Sequence, residues 1–392
     1  MILKSRLKKI ICFFFILVLV LSACINAAAY DETEQDKQDI NDIYNEQLEF
    51  SGANKLFYDI NQNTSELLLD NGINSLEPEK IMNYGFFDFI QNIWDILISK
   101  ITAPFTLLTS IVGVVLLCAL INALKSTDRD NALSPAFTVG STLAVCGIAI
   151  APILKCILDA ADAIRDAGNF MLCFIPVFTS IVTTSGKPLT AAAYHTTLFS
   201  LIQIIIRIGG TILVPLTGIY LAIAVTGSIG GGINSSGIAS VVKKTLLWGL
   251  GLLLTVFIGV FIAQTFVSSA ADTVSTRTAK FLVSGSIPVV GGAISEGVNA
   301  IGGCLRLLKS TTGVFGVLAV VFTMLPAIII AILNKTALSI GAAVSEMFSQ
   351  PKIAAMLKSA GDTFSILLGM LVFSGVLMVA ATSIVVSLGT GY

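Results

Sequence analysis

The stretch Phe281-Leu-Val-Ser-Gly-Ser-Ile-Pro-Val-Val-Gly-Gly-Ala-Ile-Ser-Glu296 restricts the possible folds more than any other. It is apolar, yet Gly285, Pro288, Gly291 and Gly292 break it before Glu296. Proline removes a backbone donor and glycine permits a tight turn. In hydrocarbon, freed backbone groups survive only where protein or a wet cavity receives them. The stretch therefore reads as helix–break–helix, a re-entrant hairpin inside a membrane protein.

The break recurs in register. Ile175-Pro176 precedes Ile287-Pro288 by 112 residues (288 − 176), and Ala160-Ala161-Asp162 precedes Ala270-Ala271-Asp272 by 110 (272 − 162). Pro104, Pro215 and Pro326 are spaced by 111 (215 − 104 and 326 − 215). With only 10 prolines in the chain, these matches predict an internal tandem repeat of about 111 residues. Its copies cover about 104–214 and 215–325, with a partial third at 326–392. Duplications of this size occur in membrane transport folds.

Composition agrees with the membrane reading. Charged residues are 12% of the chain and hydrophobic ones 55%, with mean hydropathy +0.89. Soluble domains carry about a quarter charged residues. The net charge of −1 leaves no basic face for nucleic acid.

Residues 1–29 read as a signal peptide. Lys4, Arg6, Lys8 and Lys9 precede the apolar Ile10–Leu21, and Ala27-Ala28-Ala29 offers a cleavage site. A lipobox-like Leu21-Ser22-Ala23-Cys24 competes, making Cys24 a lipidation candidate; a retained signal anchor is the third option. Residues 30–100 form an acidic extracytoplasmic segment of short amphipathic helices, beginning with Asp31, Glu32, Glu34, Asp36 and Asp39. Phe86, Phe87, Phe89, Ile93, Trp94 and Ile96 form an apolar stripe suited to an interfacial helix or to a soluble helical hairpin.

Residues 101–392 form the polytopic domain. About 20 apolar residues span a bilayer. Six segments qualify: Pro104–Leu124, Ala136–Leu154, Thr211–Val225, Thr245–Phe266, Val314–Leu333 and Phe364–Leu388. The third is short, and Arg207 with Gly209-Gly210 predicts a broken or tilted helix there. Basic loops place Lys125, Arg129, Lys243, Lys244, Lys335, Lys352 and Lys358 in the cytoplasm, with 160–190 and 270–310 as re-entrant elements on the outer side. Arg277, Lys280, Arg306 and Lys309 run against that rule.

The predicted fold is therefore all-α: a polytopic helical membrane protein with an internal repeat and re-entrant or broken helices. Asp162 and Asp272 occupy matching repeat positions and are candidates to line a shared cavity; capping helices at the headgroup level is the other reading. Arg207 lies in the apolar run Ile204–Ile208 and calls for a partner among Asp162, Asp166 and Asp272, or for snorkelling. Pro176, Pro288, Gly291 and Gly292 are the candidate break residues. His195 stands apart from any nucleophile or acid pattern, and the 7 cysteines lack metal-ligand spacing. No cofactor box or catalytic set stands out, so the chain reads as a non-enzyme.

Ala-Leu-Ser-Pro-Ala-Phe (132–137), Ile-Val-Thr-Thr-Ser-Gly (181–186) and Ile-Pro-Val-Val-Gly-Gly-Ala-Ile-Ser-Glu (287–296), behind a signal and an acidic segment, resemble the stage III sporulation protein AE family of endospore-forming bacteria. The resemblance implies a multi-pass protein of the mother-cell membrane around the forespore, its acidic segment in the intermembrane space. It implies the other stage III A sporulation proteins and stage II sporulation protein Q as partners, in a channel or secretion-like complex that sustains late forespore gene expression. It supplies no catalytic residue. A stand-alone secondary transporter, with its site between the repeats, is the alternative.

Overall fold

The computed structural model describes residues 37–82, 84–125, 134–229, 235–286 and 291–388. Among these residues all regular structure is helical. Four short helices come first: α1 (Lys37–Ser51), α2 (Gln62–Asp70), α3 (Pro78–Met82) and α4 (Phe86–Lys100). Longer ones follow: α5 (Thr102–Lys125), α6 (Ser134–Thr184), α7 (Pro188–Arg207), a π-helical turn (Ile208–Leu213), α8 (Val214–Ile229), α9 (Ser235–Ser286), α10 (Gly291–Met347) and α11 (Pro351–Leu388). Among the described residues, six helices contain stretches long and apolar enough to cross a membrane: Thr102–Ile121, Val139–Thr184, Pro188–Arg207, Ser240–Val274, Gly302–Met347 and Pro351–Val386. The chain is an all-α polytopic membrane protein.

The rods are longer than a bilayer requires. The 51 residues of α6 extend about 75 Å at about 1.5 Å per residue, against a hydrocarbon core of about 30 Å. They pack side by side over this length. Along the antiparallel α10/α11 pair, Gly313 meets Val386, Met324 meets Gly375 and Leu338 meets Gly361. α6 runs antiparallel to α10, with Phe174 against Gly316, and Asn334 Nδ2 donating to Cys156 Sγ at 3.2 Å. α7 folds back on α6, so that Ile206 meets Gly168 and Tyr194 packs its ring 5.5 Å from Phe178. α9 lies parallel to α11, with Leu247 against Gly369. One end of the bundle, the near end, carries the 348–350 turn; the far end carries the 185–187 turn.

The short helices clasp the far half of α10. Phe57 lies 6.4 Å from Phe315, while Tyr84 and Phe89 lie 6.1 and 6.2 Å from Phe322. The hydroxyls of Thr64 and Thr323 are 3.1 Å apart, and Asn61 donates to Asp166 of α6. α4 buries Phe89 and Ile96 inward, whereas Phe87, Trp94 and Ile98 are exposed. α5 continues along the near half of α10, with Ile111 against Gly341.

Two expectations need correction, and a third bears on the break itself. The helix does not break at Ile175-Pro176: α6 runs through both Pro152 and Pro176. An interior proline costs about 3 kcal/mol. Phe170, Phe174, Phe178, Ile181 and Val182 are all buried around it, and each such side chain returns about 1.5–3 kcal/mol. Packing therefore overrides the local signal. The turn falls at Ser185-Gly186-Lys187, where Gly186 adopts φ +82°, a left-handed conformation suited to glycine. The 160–190 segment is thus the end of a long rod and its hairpin turn, not a short wedge. Pro288 lies outside the described residues, and Gly291-Gly292 begin α10. The helix disturbance expected at Arg207 and Gly209-Gly210 is present as the π turn, and α7 before it is itself long and apolar enough to span.

Candidate functional site

Asp272 has the most constrained surroundings of the residues singled out. It sits on α9 and is 2% exposed. Its carboxylate accepts from Leu189 N at 3.0 Å and from Thr190 N at 2.7 Å, capping the first turn of α7 from a neighbouring rod. Helix N-termini present unsatisfied donors and a partial positive charge, which a carboxylate stabilises. Pro188 occupies the first turn, where its missing N–H is harmless. Lys187 stands beside this cap. Burial depresses its amine below the ordinary lysine range; Asp272 opposes that shift and Arg306 adds to it.

Asp162 has different surroundings. It is exposed midway along α6 and pairs with Arg165 at 3.1 Å. Neighbouring Asp166 accepts from Asn61. Arg207 is exposed at the last turn of α7, and among the described residues it forms no ion pair. Asp162, Asp272 and Arg207 are therefore not gathered into one cavity. The helix-capping alternative describes Asp272. The glycine of the π turn does have a steric role: a Cβ on Gly209 would stand 2.7 Å from Ile164 Cγ2. Cys24 lies outside the described residues. His195 stacks on Phe199 with ring centroids 5.8 Å apart.

A polar constellation that the sequence reading missed lies within the apolar helices. Lys243 of α9 pairs with Asp362 of α11, joining the two rods. Tyr220 of α8 is buried, and its hydroxyl feels the Asp362 charge. The buried hydroxyls of Thr363 and Ser365 find no hydrogen-bond partner among the described residues. Ionised side chains inside membrane segments pair with each other or line water-filled paths. Lys243 read as half of a cytoplasmic basic pair. The available signal was Asp362, an acid within a long apolar run.

Comparison with known proteins gives the chain its relatives. Residues 73–389 match the family model of stage III sporulation protein AE. A relative bearing that name, from Bacillus subtilis (strain 168), is 23% identical over 247 residues. The alignment covers 63% of this chain and 60% of the relative's length. No solved structure matches. The matched region takes in α3 through α11 and so every apolar rod, and on that extent the chain belongs to the stage III sporulation protein AE family.

Proposed function

We propose that this chain is a non-enzymatic integral subunit of a sporulation complex with the other stage III A proteins and stage II sporulation protein Q. In this reading it lies in the mother-cell membrane around the forespore, with residues 30–100 on the extracytoplasmic side. The complex acts as a channel or secretion-like conduit that sustains late forespore gene expression.

The observation that carries the reading is the outer face of α9. Val241, Trp248, Val256, Val260, Phe266 and Val274 are exposed along one rod. They extend over about 50 Å, more than the roughly 30 Å that hydrocarbon covers. A face of this length needs protein as well as lipid to cover it, as a subunit has and a lone transporter lacks. The repeat of about 111 residues belongs to the same proposal. It is supported by Pro104 and Pro215, each in the first turn of a helix that leads into a rod of 51 or 52 residues.

Deleting the gene is expected to block sporulation after engulfment and leave vegetative growth normal. Normal spores with impaired vegetative growth would overturn the reading. The transporter alternative draws on one observation, the Lys243–Asp362 pair within apolar helices. It requires solute uptake by the purified chain alone in liposomes, abolished by Asp362→Asn.

A further inference from the structure

α4 keeps one apolar face exposed. Phe86, Phe87, Ile90, Trp94 and Ile98 recur at helical spacing along it, with Phe87 85% and Trp94 61% exposed. The opposite side is packed: Phe89 and Ile96 are buried, and Phe89 lies against Phe322 of α10. The stripe runs over about 18 Å at about 1.5 Å per residue.

A polar cleft opens along the next face of the same helix. Its volume is about 610 Å³, inside the range of about 300–1,000 Å³ typical of ligand pockets. Asp70 of α2, Lys80 of α3, and Asp88, Gln91 and Asp95 of α4 line it. At about 3.6 residues per turn, Asp88 and Asp95 stand roughly 100–120° round α4 from Trp94, so cleft and stripe adjoin. Hydrogen bonds fix the floor: Asn92 Nδ2 donates to Tyr84 Oη at 2.6 Å, and Asn71 Nδ2 to Asn92 Oδ1 at 2.9 Å. Lys80 is already held by Glu77 at 3.0 Å and by Asn74 at 2.9 Å. Asp88 accepts from Gly85 N at 2.9 Å, while Asp70 and Asp95 form no ion pair among the described residues.

The charge of the cleft selects among occupants. Helices that lie on anionic membranes carry Lys and Arg on the polar face; α4 carries Asp88 and Asp95 there. A two-fold pairing of this chain through the stripe would set the carboxylates of two clefts near each other, at a cost. Among the described residues no three acids, histidines or cysteines are gathered to hold a metal ion. What fits is a cationic helix, its apolar side covering the stripe and its basic side chains entering the cleft. Asp88 and Asp95 are 7 residues apart (95 − 88), so the matching cations stand about 10 Å apart, two helical turns.

We propose that the α4 stripe and its acidic cleft dock an amphipathic helix of a partner protein, one that carries Lys or Arg two turns apart beside its apolar face. The inference deepens the subunit reading and rests on the extracytoplasmic placement of residues 30–100, which puts the docking helix on the same side.

The full chain in phosphatidylcholine nanodiscs is titrated with a fluorescent Leu/Lys amphipathic peptide helix, its Leu/Glu counterpart and a Leu/Lys peptide of scrambled order, against empty discs. Saturable binding of the Leu/Lys helix alone is expected, weakening as salt rises. Trp94→Ala should weaken it about tenfold or more, and Asp95→Asn should weaken it less, with a shallower salt dependence. Both side chains are exposed, so neither change disturbs the packed side of α4. Binding no tighter than to empty discs, equal binding of all three peptides, or an affinity unchanged in both variants overturns the proposal. So does a halved particle mass of Trp94→Ala in mild detergent, which assigns the stripe to a second copy. The placement is tested separately, with Trp94→Cys in an otherwise cysteine-free chain expressed in vegetative cells. Its reaction with a membrane-impermeant maleimide in intact protoplasts is expected. Reaction from the cytoplasmic side alone overturns the placement, a failure distinct from loss of peptide binding. Reaction from neither side means that lipid covers the stripe, and overturns the docking.

Discussion

Tyr84 ties the N-terminal helices to the long rods. Its ring packs on Phe322 of α10, and its hydroxyl accepts from Asn92 Nδ2 at 2.6 Å. Burial pushes its phenol up to about 12, Asn92 opposes the shift and nearby Asp88 adds to it. A phenol whose folded value exceeds the unfolded one contributes stability below pH 10, and that stability is lost as pH rises from 10 toward about 12. The clasp of α2–α4 on α10 is expected to loosen over this window. Hydrogen exchange of residues 62–100, followed against pH, should show protection falling there, with a shallower fall in Tyr84→Phe. A fall complete below pH 10 in both proteins would remove Tyr84 from the account. Single residues were legible in sequence by type more than by surroundings. Asp162 and Asp272 follow the same Ala-Ala pair, yet one is exposed beside Arg165 and the other seals a helix end. Their difference arises from which rod lies opposite, and local sequence does not encode that. Lys309 stood out only as a misplaced charge, and its burial emerges once α10 is packed.

At the scale of the element, glycines separate helix faces that pack from faces that do not. Gly316 of α10 abuts Phe174: a Cβ there would stand 2.5 Å from Phe174 Cε2. Phe174 is buried and stacked on Phe178 with centroids 5.2 Å apart, so the ring has nowhere to retreat. Gly316→Ala is expected to destabilise the protein by about 1–3 kcal/mol through overpacking. Gly251 of α9 has open space around its position, so Gly251→Ala should be neutral or stabilising by up to about 1 kcal/mol. Thermal unfolding of the two variants in the same detergent checks the contrast. Equal losses would mean that α6 and α10 do not meet as described. Helix existence was the most legible feature, because uninterrupted apolar runs leave few alternatives. Helix ends were not, as Pro176 shows: its local signal is a break, and the aromatic packing around it keeps the helix whole. The π turn was legible because Arg207 and Gly209-Gly210 disturb an apolar run at the one point where α7 must also approach Ile164.

For the whole molecule, the question is which half of each rod lies in lipid. Three charged residues mark a plane. Asp159 of α6 lies close enough to Lys155 and to Lys100, the last residue of α4, to interact with both. Asp162, Arg165 and Asp166 follow on α6 toward the far end. We take charges gathered at one level as the headgroup boundary, because each would be costly deeper in hydrocarbon. On the near side of this plane lies α5, whose apolar stretch Thr102–Ile121 contains 20 residues, the length of one crossing. On the far side, the polar helices α1–α4 flank α10. On this placement the far halves of the rods are expected to stand clear of lipid, with the exposed face of α9 continuing past the plane. Cysteines offer a direct check. Cys173 is exposed on the far half of α6 and feels the charge of Asp59 in the N-terminal layer, whereas Cys118 and Cys146 are buried in the near half. Proteins retaining Cys173 alone, Cys118 alone or Cys146 alone are expected to differ sharply toward a membrane-impermeant maleimide. In intact protoplasts Cys173 should label within minutes, and the other two should label only after denaturation. If Cys173 resists until the membrane is dissolved while folded protein in mild detergent labels readily, lipid covers the far half. The plane through Asp159 would then be wrong, and the excess length of α9 would no longer argue for a protein partner.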